Sequence, residues 1–484
     1  MIINSIQFLL FFLCVFLIYY FPLKEKVKEQ NILLLLSCYI FYGIADWRMV
    51  PLLLLATGVF YVLGILIGKS NEAASSRASL LTTLGVCLGV GLLLYFKYLN
   101  FFITSFSDLF SSIGLSTNWS TFNIIMPLGI SFFTFKLISY VIEIHRQHIE
   151  PTTNMVTFAT YVAFFPTIMS GPIDRPNSFI PQLQSKRTFN YDLAVDGCRQ
   201  ILWGMFKKMV IADNIATCVD LVWDNILITP GINIFISVLL YSVQLYADFS
   251  GYSDMAIGVG KILGFRITSN FKYPFFKKNI AEFWRGWHIS LTSWLTDYVF
   301  MPLNIKFRNS GIWGTISAII ITFVLVGLWH GANWTFAIFG LYSGLLYIPL
   351  MLSGSFFKKS KLEINKYGLP TLKDASKMFA TFILMSFGLI IFRAENIGQA
   401  WDFVCQMFSS SLFSIPDNRG LRRLVYAAVL LIIEWYQRDK EHALQIEDVK
   451  FLSNSIIRWG LYLLLCFITF MYAGTSTEFI YFRF

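Results

Sequence analysis

The sequence predicts an all-helical protein that crosses a membrane many times, and three observations predict it. Of 484 residues, 56% are hydrophobic and only 14% charged, against about 25% charged residues in a soluble domain. Mean hydropathy is +0.62. The apolar residues fall into runs long enough to cross a bilayer, which takes about 20 residues per helix. Aromatic residues reach 18%, 49 of them Phe, a composition suited to lipid and its interfaces. A cytosolic enzyme, a disordered regulator and a disulfide-stapled secreted domain are excluded.

Candidate spans lie near 5–22, 31–45, 48–68, 79–96, 124–143, 156–171, 196–216, 231–249, 313–329, 334–352, 376–393, 421–436 and 457–473. The segments 156–171 and 196–216 are expected to be re-entrant or half-buried, for a total of about 11–13 spans and re-entrant helices. The first 22 residues have no basic n-region and no small-residue cleavage site, so they are expected to remain as the first span. Lys24, Lys26 and Lys28 fill the first loop, Lys69 and Arg77 the third, and Arg146 follows 143. Positive loops stay in the cytoplasm, which puts the N-terminus outside and the Lys-rich stretch Lys358–Lys377 inside. The net charge of +10 is therefore read as a topology label; no recognition motif for nucleic acid accompanies it. Seven Cys stand singly, mostly in apolar runs, and are expected to be reduced packing residues, with no metal site.

The few polar residues inside the apolar runs are the functional candidates. From Asn309 to Phe357, 49 positions contain no Asp, Glu, Lys or Arg, and WHGANW with His330 lies near their centre. An ionisable group at membrane depth is costly and so a candidate for function. Gly327, Gly331 and Ala332 beside it are expected to let the backbone bend and a substrate approach. The structural alternative is a neutral His bonded to a neighbouring helix. His288 is second, in EFWRGWHISLTSWLTDY; helical spacing would put Arg285 and Trp284 on its face, and an interfacial aromatic anchor explains the segment equally well. Asp248 and Asp254 in YADFSGYSDM would cap a helix or pair with Arg285. Lys272, Lys277 and Lys278 would suit a phosphate-bearing donor, or simply mark topology. His145, His148 and His442 are expected in solvated loops. Asn118 and Asn333 formally match glycosylation sites. Nucleotide-binding, nucleophile-elbow and zinc-protease motifs do not occur in the sequence.

Four segments carry a family resemblance: GISFFTFKLISYVIEIHR (129–146), YVAFFPTIMSGPIDRPNSFIPQL (161–183), 246–265 with 270–303, and GLWHGANW (327–334), together with the ending FIYFRF. On these the chain resembles the membrane-bound O-acyltransferase (MBOAT) superfamily, and within it the bacterial alginate O-acetyltransferase-like branch. The resemblance covers about residues 5–484, and Thr296 departs from it, standing where the branch usually has Arg. It implies one membrane domain over 1–484, with N-terminal helices 1–120, a catalytic core of about 121–355 and C-terminal helices and tail 356–484. The family fold it implies is a ring of helices around a thinned centre with a cytosolic funnel.

The resemblance implies an O-acyltransferase of the bacterial inner membrane that holds no permanent cofactor. The donor would be a cytosolic acyl thioester, acetyl-CoA by expectation. The partner would be an SGNH-type acetyltransferase or esterase that modifies an envelope polysaccharide. His330 and His288 match the family's His pair. Acyl transfer from a thioester needs a base and donors for the oxyanion, so His330 takes the base role and His288 the carbonyl, supported by Arg285, Asp297, Asp248, Trp329 and Asn333. Tyr481 in the FIYFRF ending is the hypothesised acyl relay. The alternatives are D-alanyl transfer to teichoic acid, lipid- or protein-directed acylation, and a transporter or flippase without chemistry.

Overall fold

The computed structural model describes residues 2–73, 76–115, 119–357, 362–473 and 479–480. Among these residues regular structure is helical, apart from one isolated bridge between Ile364 and Pro370. Six helical stretches are long and apolar enough to cross a membrane: Val27–Glu72, Arg77–Ser112, Gly231–Ile262, Arg308–His330, Trp334–Leu352 and Leu372–Arg393. Ile6–Tyr20 and Ser455–Met471 are shorter apolar helices. Val27–Glu72 has 46 residues, about twice what one crossing needs. It breaks at the tight turn Trp47–Met49, where the Asp46 carboxylate accepts the Arg48 backbone N–H, as the gap between 45 and 48 in the hydropathy pattern predicts.

Other spans depart from the apolar pattern. In 156–171 the helix stops at Ala163, and buried turns follow. In 196–216 the helix Tyr191–Met205 widens into a π-helix, Phe206–Ala212, before Asp213–Asp224. Such widened turns are rare and cluster at functional sites. Of the cysteines, Cys38 is buried and Cys218 half-buried, whereas Cys14, Cys87, Cys198, Cys405 and Cys466 lie on exposed helix faces; packing explains only the first.

The described residues form two compact units, one of residues up to 198 with 256–268, the other of 199–255 with 269–484. These units cut across the three-part division drawn on the sequence. In the first unit the buried polar groups hold the frame. Arg187 donates to the Tyr19 hydroxyl at 2.5 Å and to Asn31 Oδ1 at 2.6 Å, and lies over the Phe265 ring. Lys136 Nζ donates to Thr167 Oγ1 at 3.0 Å. The Asp174 carboxylate accepts the Thr268 N–H and hydroxyl, both at 2.9 Å, and burial raises its pKa to about 6.

The second unit is organised by the pair Gly311–His330 and Trp334–Leu345. A Cβ on Gly327 would stand 2.0 Å from the Phe336 carbonyl oxygen, and one on Gly331 would stand 2.1 Å from the Phe336 ring. The helices meet backbone to backbone, as small residues permit in membranes. These glycines therefore make room for Phe336, not for a substrate as the sequence suggested.

The unit has two ends. At one, Asn333 Nδ2 donates to the Glu395 carbonyl at 2.7 Å and Arg393 pairs with Asp220 at 2.6 Å. At the other, Lys278 pairs with Asp374 at 3.0 Å and the Tyr273 hydroxyl donates to the Lys440 carbonyl at 3.1 Å.

Candidate active site

His288 stands at the entrance to the short helix Ile289–Leu295 in a left-handed conformation, φ +46° and ψ +51°. A non-glycine residue pays for that geometry in strain, and such residues gather at functional sites. The surroundings hold it in place. Its Nδ1 accepts the Leu291 N–H at 3.3 Å, the Ile289 N–H donates to the Asn270 carbonyl at 2.8 Å, and the Ser290 hydroxyl donates to Asn270 Oδ1 at 2.6 Å. With Nδ1 accepting, the neutral ring carries its proton on Nε2. Burial pushes the imidazole pKa down to about 3, so the ring is neutral around pH 7. The helix before it ends at Trp284, so Arg285, Trp284 and His288 do not share the helical face that their spacing predicts.

His330 is the last residue of its helix and is buried. Trp329 stands between the two imidazoles, with ring centroids 5.5 Å from His288 and 5.0 Å from His330, near-perpendicular to both. Phe392 closes the far side of His330 at 5.1 Å, and Phe249 lies 4.7 Å from His288. Asn333 caps the next helix by accepting the Thr335 N–H; with its bond to Glu395 it fixes the turn after His330.

A cavity of about 10 Å³ opens beside His330, walled by Trp284, Trp287, Phe339 and Phe392, room for about one water. A larger chamber of about 370 Å³ lies on the other side of Trp284 and holds Arg285, Asp297, Thr292, Ser293, Thr296 and Tyr347. Trp284 lines both. Arg285 and Asp297 thus share a chamber, with the guanidinium over the Phe356 ring, and Thr296 stands in its wall.

The remaining candidates are placed elsewhere. Asp248 does not pair with Arg285: its partners are Lys208, at 2.6 Å, and the Ile480 backbone N–H, at 2.8 Å. Asp254 pairs with Lys207 at 2.6 Å and accepts from Gln200 at 2.8 Å. Lys278 is buried against Asp374, which leaves Lys272, exposed, and Lys277, half-buried, as the basic rim. His442 is buried, not solvated as its polar surroundings suggested, and His148 bonds Glu143 at 2.9 Å. Tyr481 and Asn118 lie outside the described residues. The sequence reading missed Lys207, Lys208 and Asp213. Their signal was two adjacent lysines in an apolar stretch, followed five residues later by an aspartate.

In this helical, apolar chain two buried histidines, both in ring contact with Trp329, form an aromatic-walled polar centre. Residues 145–390 match the model of the membrane-bound O-acyltransferase family. The chain is 36% identical over 466 residues to the probable alginate O-acetylase AlgI of Pseudomonas aeruginosa, covering 94% of this chain and 85% of that protein. It is 29% identical to a peptidoglycan O-acetyltransferase of Helicobacter pylori, over 99% and 97% of the two chains. It is also 31% identical to a teichoic acid D-alanyltransferase of Bacillus subtilis, over 56% and 70%. The chain belongs to the membrane-bound O-acyltransferase family, and it is a multi-pass membrane O-acyltransferase.

Proposed function

We propose that the chain takes an acetyl group from acetyl-CoA on the cytosolic side of the bacterial inner membrane and passes it outward. The recipient would be an SGNH-type partner that O-acetylates an envelope polysaccharide. The observation that carries this reading is the buried pair His288–Trp329–His330: one imidazole held neutral in a strained conformation, the other beside a water-sized cavity. The acetylase and acetyltransferase names of the relatives support the acetyl group.

In this mechanism His330 accepts the proton of the attacking hydroxyl as its oxygen bonds to the thioester carbonyl carbon. His288, with its proton on Nε2, donates to the oxyanion. The C–S bond then breaks, and the thiolate takes the proton from His330. The first acceptor is the Tyr481 phenol, which becomes a phenyl ester. An ordinary phenol has a pKa near 10, so its ester remains activated toward an alcohol. The chamber of about 370 Å³ falls within the size range of ligand sites, about 300–1,000 Å³, and would receive the thioester arm, with Lys272 and Lys277 facing the donor's phosphates. The end that carries Lys272, Lys277 and Lys373 is cytosolic by the positive-inside rule, which also puts the N-terminus outside.

The teichoic acid relative favours one second reading, D-alanyl transfer from a carrier-bound thioester. Purified protein given labelled acetyl-CoA without a partner separates the two. Acetylation of the C-terminal peptide, lost in Tyr481→Phe and in His330→Ala, is the expected result. Label that persists in Tyr481→Phe removes the relay. Label taken only from a carrier-bound D-alanyl thioester replaces the acetyl reading.

A further inference from the structure

We propose that the buried Lys208–Asp213–Asp248 triad is a receptor for the chain's own C-terminal segment, and that Asp248 is the positioning residue that holds it. The triad rests on the widened turn Phe206–Ala212. There two consecutive lysines reach two different acidic partners on the helix Gly231–Ile262: Lys207 bonds Asp254 and the Ser250 hydroxyl, and Lys208 bonds Asp248. Close approach makes this possible, because a Cβ on Gly204 would stand 2.6 Å from the Gly251 carbonyl oxygen and one on Gly251 would stand 2.7 Å from that of Gly204.

The two lysines differ in how they are balanced. Among the described residues Lys207 bonds one carboxylate, Asp254, and lies within the field of a second, Glu434. Lys208 bonds two, Asp213 at 2.9 Å and Asp248 at 2.6 Å, and the three side chains are 1%, 1% and 2% exposed. Buried carboxylates are tolerated where several donors face them.

The C-terminal segment supplies one. The Ile480 backbone N–H donates to Asp248 Oδ2 at 2.8 Å, a charge-assisted bond. The Phe479 ring lies over the Lys208 ammonium at 4.5 Å and meets Tyr252 edge to face at 4.9 Å. Phe479 and Ile480 are 2% and 8% exposed. Three kinds of contact thus converge on two residues that follow the helix Ser455–Met471 in the chain. Because Tyr481 follows Ile480, holding Ile480 limits where the relay phenol can go. That consequence rests on the proposed function; the receptor itself does not.

Hydrogen exchange on the full chain in lipid nanodiscs tests the receptor, read on peptides covering 472–484 and 231–262. Breaking a bond to a charged acceptor should speed exchange of the Ile480 amide about tenfold or more in Asp248→Ala, with helix 231–262 protected as before. Asp248→Asn, which keeps an acceptor oxygen, should restore most of the tail's protection. Phe479→Ala, at the chain end and outside the helical frame, should also release the tail, and decides the matter if Asp248→Ala does not fold. Tail exchange unchanged in Phe479→Ala, or lost in Asp248→Ala only together with helix 231–262, overturns the receptor. A second readout separates it from the acyl reading. If the variants release the tail and acyl transfer falls about tenfold in kcat at constant donor KM, both stand. If they release the tail with transfer unchanged, the receptor stands and the relay falls.

Discussion

The second unit buries two polar centres, and they are built in opposite ways. Around His288 and His330 the nearest rings are Trp329, Phe392 and Phe249, and burial keeps His288 neutral by withholding solvent from its cation. Around Lys207 and Lys208 the contacts are ionic, charge-assisted or cation–π, with Asp213, Asp248, Asp254 and Ser250 in bonding reach and the Tyr246 and Phe479 rings over the two ammonium groups. A neutral imidazole among aromatic rings offers one donor nitrogen and one acceptor nitrogen. A lysine shared by two carboxylates is fixed in charge and position, which suits holding another part of the chain.

The most severe test of this contrast is His330→Ala. It should lower acyl transfer by about 10²–10⁴-fold, the range a positioned general base supplies, while tail exchange stays at the wild-type rate. Partner-coupled acetyl transfer in proteoliposomes measures the first quantity. Next in size, Gly331→Ala drives a methyl into the Phe336 ring; overpacking of this kind costs about 1–3 kcal/mol. Thermal unfolding should register it as a lowered Tm, and an unchanged Tm would mean that the two helices do not meet as described.

A pH series sharpens the contrast further. The folded pKa of His288 lies at about 3, below the 6.5 of an ordinary histidine. The unfolded chain therefore binds the proton first as pH falls. The stability tied to the neutral ring is whole above about pH 6.5 and is lost progressively toward pH 3. A His288→Gln variant should flatten that part of the stability curve; an identical slope would place the titration elsewhere. The smallest effect belongs to the basic rim. Lys272→Ala with Lys277→Ala should raise the donor KM about two- to fivefold at low salt and less at high salt, because exposed charges are screened.

Much of the frame was legible in the sequence, because lipid leaves a coarse signature in hydropathy. Three of the six long stretches begin and end close to the apolar runs at 313–329, 334–352 and 376–393, and a fourth begins with the run 231–249 but continues through the polar YADFSGYSDM to Ile262. His330 stood out because no Asp, Glu, Lys or Arg surrounds it for 49 positions. What was not legible depends on contacts distant along the chain. Periodicity carries no sign of the left-handed break at His288, since the residues that follow it, Ile289 and Ser290, are tied back to the distant Asn270. The pairing of Asp248 with Lys208, not Arg285, follows from the widened turn at 206–212, which an apolar run with two lysines does not announce. The glycines beside His330 suggested room for a substrate, and only the placement of Phe336 shows what fills it.

The central claim is that His330 performs proton transfer for acyl transfer while the ionic triad holds the tail. Its most direct test is a single experiment on His330→Ala in nanodiscs, with labelled acetyl-CoA and exchange read on the same preparation. Labelling of the C-terminal peptide should disappear while the Ile480 amide keeps its wild-type protection. Labelling within about threefold of wild type, against the 10²–10⁴-fold expected of a base, would contradict it.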